Sequence, residues 1–429
     1  MKYIIIFFFS FFTLFSQNSR ILEYSNPDSV GISSLKIKEI DFLVEKAIDS
    51  LMIPGAQILI ARDGQIFFHK AFGYHTYKKE KKVKIDDMYD LASLTKILVT
   101  LPLIIQEVDK NEINLENSIN DIMPEWSYTN KKNILLQDIL THYARLIPWI
   151  PFYTETQRKS GKLQRKIYRR KKSDKFSNKV AKNIFIRNDS KEKIIKQIFE
   201  TDLRDTLEMK YSDFPFIMMQ SFLEKKYDKT LDEIVNERIF DKMNLKRTMF
   251  NPNKNLLLQN NIVPSEIDNY FRNQELKGYV HDMAAAMFGG IAGHAGLFSN
   301  SFEVGALMQM YLNKGNYGGK KFFSSETFEK FNNCIYCDRG NRRGLGFDKP
   351  QIDGSGSTCG CVSRESFGHS GFTGTYAWAD PKEKIIYVFL SNRTYPSMEN
   401  TLLIDHSIRT RIQKIIYDSI LIKKNKNWK

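Results

Sequence analysis

The 429-residue sequence predicts an α+β fold. An antiparallel sheet is flanked by helices, and a mostly helical lobe is inserted between the two halves of that sheet. Three observations carry this. Strand-like runs bounded by turn residues sit near both ends of the chain, helical repeats lie beside them, and the long middle stretch reads mainly as helix and loop. The expected division is a sheet lobe over about 33–110 and 315–429 and a helical lobe over about 111–314, with a basic insertion at 151–196. A content of 42% hydrophobic residues excludes wholesale disorder, and 23 Gly, 12 Pro and 4 Cys exclude collagen-like chains and small disulfide scaffolds.

The elements follow in order. Lys2 precedes an apolar run over residues 3–15 and then Ser16, the grammar of a secretory signal peptide over 1–16. Cleavage there leaves a mature chain over 17–429 without a membrane span, exported to the periplasm or the extracellular space. Ile37, Ile40, Val44, Ile48 and Leu51 form one helical face starting near Ser33 or Ser34. Gln57–Ala61 and Gln65–Ala71 flank Asp63-Gly64, a hairpin signal. A helical pattern opens at Leu91, with Pro102 as the expected kink. Short helices and loops fill about 115–145, and 214–250 read as helical.

Between these, Pro151–Lys196 holds sixteen Lys/Arg against four Asp/Glu, so most of the net charge of +15 sits in one segment. It reads as a solvated insertion, with contact to an anionic surface as its functional alternative. No zinc finger, RNA-binding signature or basic zipper accompanies it, so nucleic acid is not an expected partner. Residues 278–300 are rich in Gly, Ala and His and predict tight turns. A helix follows at about Phe302–Leu312, capped by Asn300 or Ser301. Gly374–Ala379 and Lys384–Ser391 form a second hairpin pattern, and Ile408, Ile412, Ile416 and Ile420 mark a last helix.

The sharpest chemical signal is Ser93-Leu94-Thr95-Lys96. Serine and lysine three residues apart at a helix start share one face, and a neutral lysine amine can take the serine proton. The helix N-terminus favours the negative charge that develops. Tyr211-Ser212-Asp213 precedes an apolar helical run and supplies a hydroxyl able to relay protons beside the lysine. His369-Ser370-Gly371-Phe372 precedes a strand pattern, where an edge strand offers a backbone N–H to an oxyanion and Gly371 admits a substrate.

In order and spacing these three elements resemble the serine β-lactamase and penicillin-recognising hydrolase family, in its class C-related branch. Leu140-Thr141-His142 and Gly293-His294-Ala295-Gly296-Leu297-Phe298-Ser299 are similar to further family segments, especially in the β-lactamase-type domain fused to some family 3 glycosidases. The resemblance implies a β-lactamase/transpeptidase-like fold and a serine hydrolase working through an acyl-enzyme, without cofactor or metal. It makes Ser93 the nucleophile, Lys96 the base and Tyr211 a proton shuttle. The N–H groups of Ser93 and Phe372 form the oxyanion hole. Asp213, His369 and Gly371 bind substrate, His369 donating a hydrogen bond or charge to a substrate carboxylate.

Two departures bear on activity. Asp213 stands where the family has Asn, and a carboxylate beside Lys96 raises the lysine pKa. Tyr143-Ala144-Arg145 replaces a small, glycine-containing turn. Both favour an esterase or a D-amino-acid peptidase or amidase on cell-wall-like or small acyl substrates over a β-lactamase. A non-catalytic muropeptide or β-lactam sensor is the alternative. Cys334, Cys337, Cys359 and Cys361 allow three disulfide pairings, or a structural zinc, or free thiols. His281 and His294 fall in the glycine-rich turn region and read as satisfied loop histidines, with a place lining the cleft as the alternative.

Overall fold

The computed structural model describes residues 21–351 and 356–421. The expected signal peptide lies outside the described residues. Among these, no helix is long and apolar enough to cross a membrane.

The central sheet has six strands, in the order Glu23–Tyr24, Gln65–Gly73, Gly55–Arg62, Ile385–Ser391, Tyr376–Asp380, Phe367–Ser370. Both ends of the chain therefore build it, as the sequence predicts. Five strands are antiparallel, but Glu23–Tyr24 runs parallel to the Gln65 edge, so the sheet is mixed. That edge strand is two residues long, too short to leave a periodic pattern. Asp63 and Gly64 both take positive φ, which gives the first hairpin the turn its twist requires.

The two faces of the sheet separate two cores. Ile58, Ile60, Tyr387 and Phe389 face the helices Glu39–Asp49 and Ile408–Asp418. Their neighbours Leu59, Ala61, Val388 and Leu390 face the larger core shared with the inserted lobe. Burial on both faces explains why these strands read as continuous apolar runs rather than alternations. The Ser301–Leu312 helix, capped by Asn300, packs on the second face with Gly305 against Leu59, where an added Cβ would sit 3.0 Å from a Leu59 methyl. Leu51 is exposed, because the first helix ends at Asp49 and Leu51 turns out with φ 55°.

The inserted lobe differs from a purely helical one. Its basic segment folds as a three-stranded sheet, Tyr168–Arg169, Ile184–Ile186 and Asn178–Ala181, followed by the helix Ser190–Glu200. Tyr168, Val180, Ile184 and Ile186 are buried, but the lysines and arginines around them mask the alternation in sequence. Glu107, fully buried, ties the lobe to the Leu101–Asp109 helix through Lys226 at 2.7 Å, Arg238 at 2.7 Å and the Tyr227 hydroxyl at 2.6 Å. Removing one partner of such a cluster leaves a buried charge uncompensated.

Lys349 braces the loop behind the Phe367–Ser370 strand. Its ammonium donates to Asn332 Oδ1 at 2.8 Å and to the Glu365 carbonyl at 3.0 Å, with no carboxylate bonded to it among the described residues. Burial pulls its pKa from 10.5 down to about 7. Between those values the unfolded chain binds the extra proton, so this group makes stability rise with pH and disfavours folding most below the folded value. The wild type should therefore gain more than about 1 kcal/mol relative to Lys349→Met between pH 7 and pH 10 in chemical denaturation. Parallel stability curves for the two proteins would contradict this.

Candidate active site

The site starts from a strained turn. Asp90 ends a short strand, and its buried carboxylate accepts from Ala92 N at 2.9 Å and His281 N at 2.6 Å. Ala92 is held at φ 46°, a left-handed conformation unusual for a residue with a side chain. The Thr95 hydroxyl fixes the turn by donating to the Ala92 carbonyl at 2.7 Å. Ser93 is thereby lifted to the cleft floor as the helix begins. The turn over Lys96–Thr100 is a wide π-type turn running into Leu101–Asp109, with Pro102, which has no N–H to donate, just beyond it.

Lys96 is fully buried directly behind Ser93. Its Nζ donates to Ser93 Oγ at 2.9 Å and to the His294 carbonyl at 3.1 Å, and lies 2.7 Å from Asp213 Oδ1. Burial alone would depress the lysine, but the Asp213 carboxylate, with Tyr211 beside it, outweighs that and raises it above the ordinary 10.5. Lys96 is thus an ammonium ion at neutral pH, as the Asp213 substitution predicts.

Tyr211 lies between two cations. Lys96 Nζ is 5.1 Å and the Arg343 guanidinium 5.0 Å from its ring centre. Its buried hydroxyl meets no partner at hydrogen-bond geometry among the described residues. His142 packs behind the ring at 4.8 Å and accepts from Ser212 N at 3.2 Å, fixing the Tyr211-Ser212-Asp213 segment.

The third element arrives on the edge strand Phe367–Ser370. His369 Nδ1 lies 2.7 Å from the Ser370 carbonyl, which only accepts, so Nδ1 carries the proton. Burial, then Arg343 and Lys96, hold its pKa well below 6.5. The neutral ring presents Nε2 as a bare acceptor, without partner among the described residues. At Gly371 an added Cβ would lie 2.0 Å from Thr375 Oγ1 and 2.5 Å from the Leu91 carbonyl, so only glycine brings the strand this close to the Ser93 turn. The backbone N–H groups of Ser93 and Phe372 donate to no acceptor among the described residues.

Ser93, Tyr211, Asp213, His369, Gly371 and Phe372 all line one cleft of about 630 Å³, with Lys96 beneath it. Cys334 pairs with Cys337 and Cys359 with Cys361, two local disulfides in the segment that precedes the Phe367–Ser370 strand. His281 lies 3.2 Å from Glu266 and His294 2.9 Å from Asp282, local partners for both. Asp213, Asp282 and His294 place donor atoms within 4.8 Å of one another. Lys96 occupies one of those carboxylates, while His294 and the Ala285 N–H share the other, so their charges are met within the chain.

Sequence reasoning missed three contributors. Asp90 and Asp282 are acids next to the recognised segments, legible only once their hydrogen bonds are known. Arg343 is the third. It is 5% exposed, its nearest carboxylate is Asp348 at 3.9 Å, and its Nε and Nη1 have no partner among the described residues. Burial lowers its pKa to about 10, which leaves it charged at neutral pH. Nothing in the run Gly340-Asn341-Arg342-Arg343-Gly344 signals this.

With its carboxylate removed, Lys96 should lose its proton more easily. A serine that needs the neutral amine reacts faster as pH rises through the lysine pKa. The acid limb of p-nitrophenyl acetate acylation should therefore shift to lower pH by about one unit or more in Asp213→Asn. An unchanged limb would show that Asp213 does not set the Lys96 charge.

The chain is similar to known proteins over most of its length. The family described as Beta-lactamase matches residues 40–407. A Salmonella agona (strain SL483) protein named "Putative D-alanyl-D-alanine carboxypeptidase" is 28% identical over 90% of this chain and 89% of its own. In the solved structure of EstCE1, titled a hydrolase with promiscuous acyltransferase activity, the similarity covers 87% of this chain and 99% of that one, at TM-score 0.62 and 17% identity. A penicillin-binding protein homologue from Caulobacter crescentus aligns over 91% and 99%, at TM-score 0.63 and 13% identity. The chain belongs to the beta-lactamase family and is a serine hydrolase of the β-lactamase/transpeptidase-like fold.

Proposed function

We propose that this protein is an exported carboxypeptidase-type serine hydrolase that releases a C-terminal D-amino acid from cell-wall-like acyl peptides. The observation that carries the specificity is Arg343, a buried and weakly paired guanidinium facing the cleft with unused donors. Such a cation is costly to bury alone, and a substrate carboxylate compensates it with a charge-assisted, bidentate contact. The relative named for D-alanyl-D-alanine carboxypeptidase activity supports the same substrate class.

In this reading Ser93 attacks the scissile carbonyl and Lys96 takes its proton. A substrate amide N–H that donates to Asp213 draws negative charge away from Lys96, which makes the neutral amine easier to reach when substrate is bound. The N–H groups of Ser93 and Phe372 receive the oxyanion. Tyr211, beside the Lys96 ammonium, protonates the leaving nitrogen. His369 Nε2 accepts a hydrogen bond from a substrate N–H. Water then hydrolyses the acyl-enzyme.

An esterase reading is favoured by one other observation, the apolar lining of the cleft by Trp149, Met283, Phe372, Met398 and Ile404. One experiment separates the two. Arg343→Met, checked for a native denaturation midpoint, should lower kcat/KM for an acyl-D-Ala-D-Ala peptide by about 10- to 100-fold. The same peptide carrying a C-terminal amide should be affected less than about threefold. Equal losses on both substrates, or no D-alanine released by the wild type, would overturn the carboxypeptidase reading. A wild type that acylates without turnover would instead identify a sensor.

A further inference from the structure

The segment between Arg158 and Lys182 holds twelve Lys/Arg and one acid, Asp174. All twelve are exposed. Among the described residues none lies within 4.0 Å of a carboxylate, whereas the basic residues just beyond are paired, Arg187 with Asp189 and Lys191 with Glu224. Like charges packed this closely repel, and ordinary surface lysines relieve that with nearby acids. This stretch does not.

The charges are also held in place. They ride on the three-stranded sheet whose inner side chains Tyr168, Val180, Ile184 and Ile186 are buried, and Arg169 stacks on Phe176 at 4.5 Å. Two adjoining grooves of about 680 and 700 Å³ share Arg169 and Arg170 as lining. Lys171, Lys172 and Lys175 line the first, Lys162 and Arg165 the second. The cations are thus gathered along one continuous surface.

That surface is coupled to the cleft. Arg272 lines the second groove, and it also donates to the His281 carbonyl at 2.7 Å while paired with Asp268 at 2.6 Å. His281 is a cleft residue. One side chain therefore spans from the basic groove to the wall of the catalytic site. Between residues 150 and 206 no large hydrophobic side chain is exposed among the described residues, so the surface has no apolar anchor of the kind that enters a bilayer.

We propose that this surface docks the enzyme on a polyanionic cell-wall polymer, the same polymer that presents the acyl peptide to the cleft. The proposal rests on the hydrolase reading above and adds to it a polymeric, anionic substrate. The grooved, unpaired cationic surface linked to the cleft through Arg272 fits a chain of repeated carboxylates or phosphates better than a single small anion.

The test is a triple charge reversal, Arg170→Glu, Lys171→Glu and Lys172→Glu, at three exposed positions that line the grooves. Wild type should co-sediment with isolated cell wall at low salt and be released as salt rises. The variant should bind about tenfold more weakly or worse. Its release of D-alanine from insoluble wall should fall in parallel, while kcat/KM for a soluble acyl-D-Ala-D-Ala peptide stays within about twofold. Unchanged wall binding, equal losses on soluble and polymeric substrate, or binding confined to anionic phospholipid vesicles would overturn the proposal. Co-sedimentation needs no turnover, so a failed D-alanine assay sinks the carboxypeptidase reading without deciding the docking.

Discussion

A fully buried lysine ammonium is the constraint around which this molecule is organised. Lys96 is taken out of solvent completely, and three groups answer its charge: the Ser93 hydroxyl, the Asp213 carboxylate and the His294 carbonyl. Those three come from the turn just before the Lys96 helical segment, from the segment before the Phe214–Tyr227 helix, and from the glycine-rich turn. Ser93, Asp213 and His294, far apart in sequence, must therefore be brought to within hydrogen-bonding distance of a single nitrogen. An unsatisfied charge there would cost a large share of an ordinary domain's stability. The Ala92 strain, the Gly371 contact with the Leu91 carbonyl and the Asp90 clamp all serve the same closure.

Much of this was legible in the sequence because it rests on local patterns. The hairpin at Asp63-Gly64, the capped helix at Asn300 and the apolar stripe of the last helix are short-range signals, and each forms as its residues dictate. The segments carrying Ser93, Tyr211 and His369 were legible because three motifs in a fixed order are far rarer than any one of them. The strands of the basic lobe were hidden, since their apolar residues are interrupted by lysines that solvent accommodates on the outer face. Ile420 continued the helical spacing of Ile408, Ile412 and Ile416, yet the helix stops at Asp418 and Ile420 bridges to Ile32 instead.

The limits at the site are of a different kind. His369 could be placed, but not its protonation state, because that depends on the Ser370 carbonyl and on the charges of Arg343 and Lys96. Arg343 could not be placed at all. Its sequence neighbours form a polar turn, and what distinguishes it is burial against the Tyr211 ring, a contact across more than a hundred residues of chain. Electrostatic specificity of this sort arises from which charges the fold leaves unanswered, and a linear sequence records only which charges exist.

The central claim is that closure around Lys96 leaves Ser93 as an activated nucleophile. The direct measurement is intact-mass spectrometry after incubation with a fluorophosphonate, followed by peptide mapping, on the wild type and on Ser93→Ala. The account predicts one adduct, mapped to the peptide containing Ser93 and absent from the variant. A folded wild type that takes no adduct, or takes one at another residue, would contradict it.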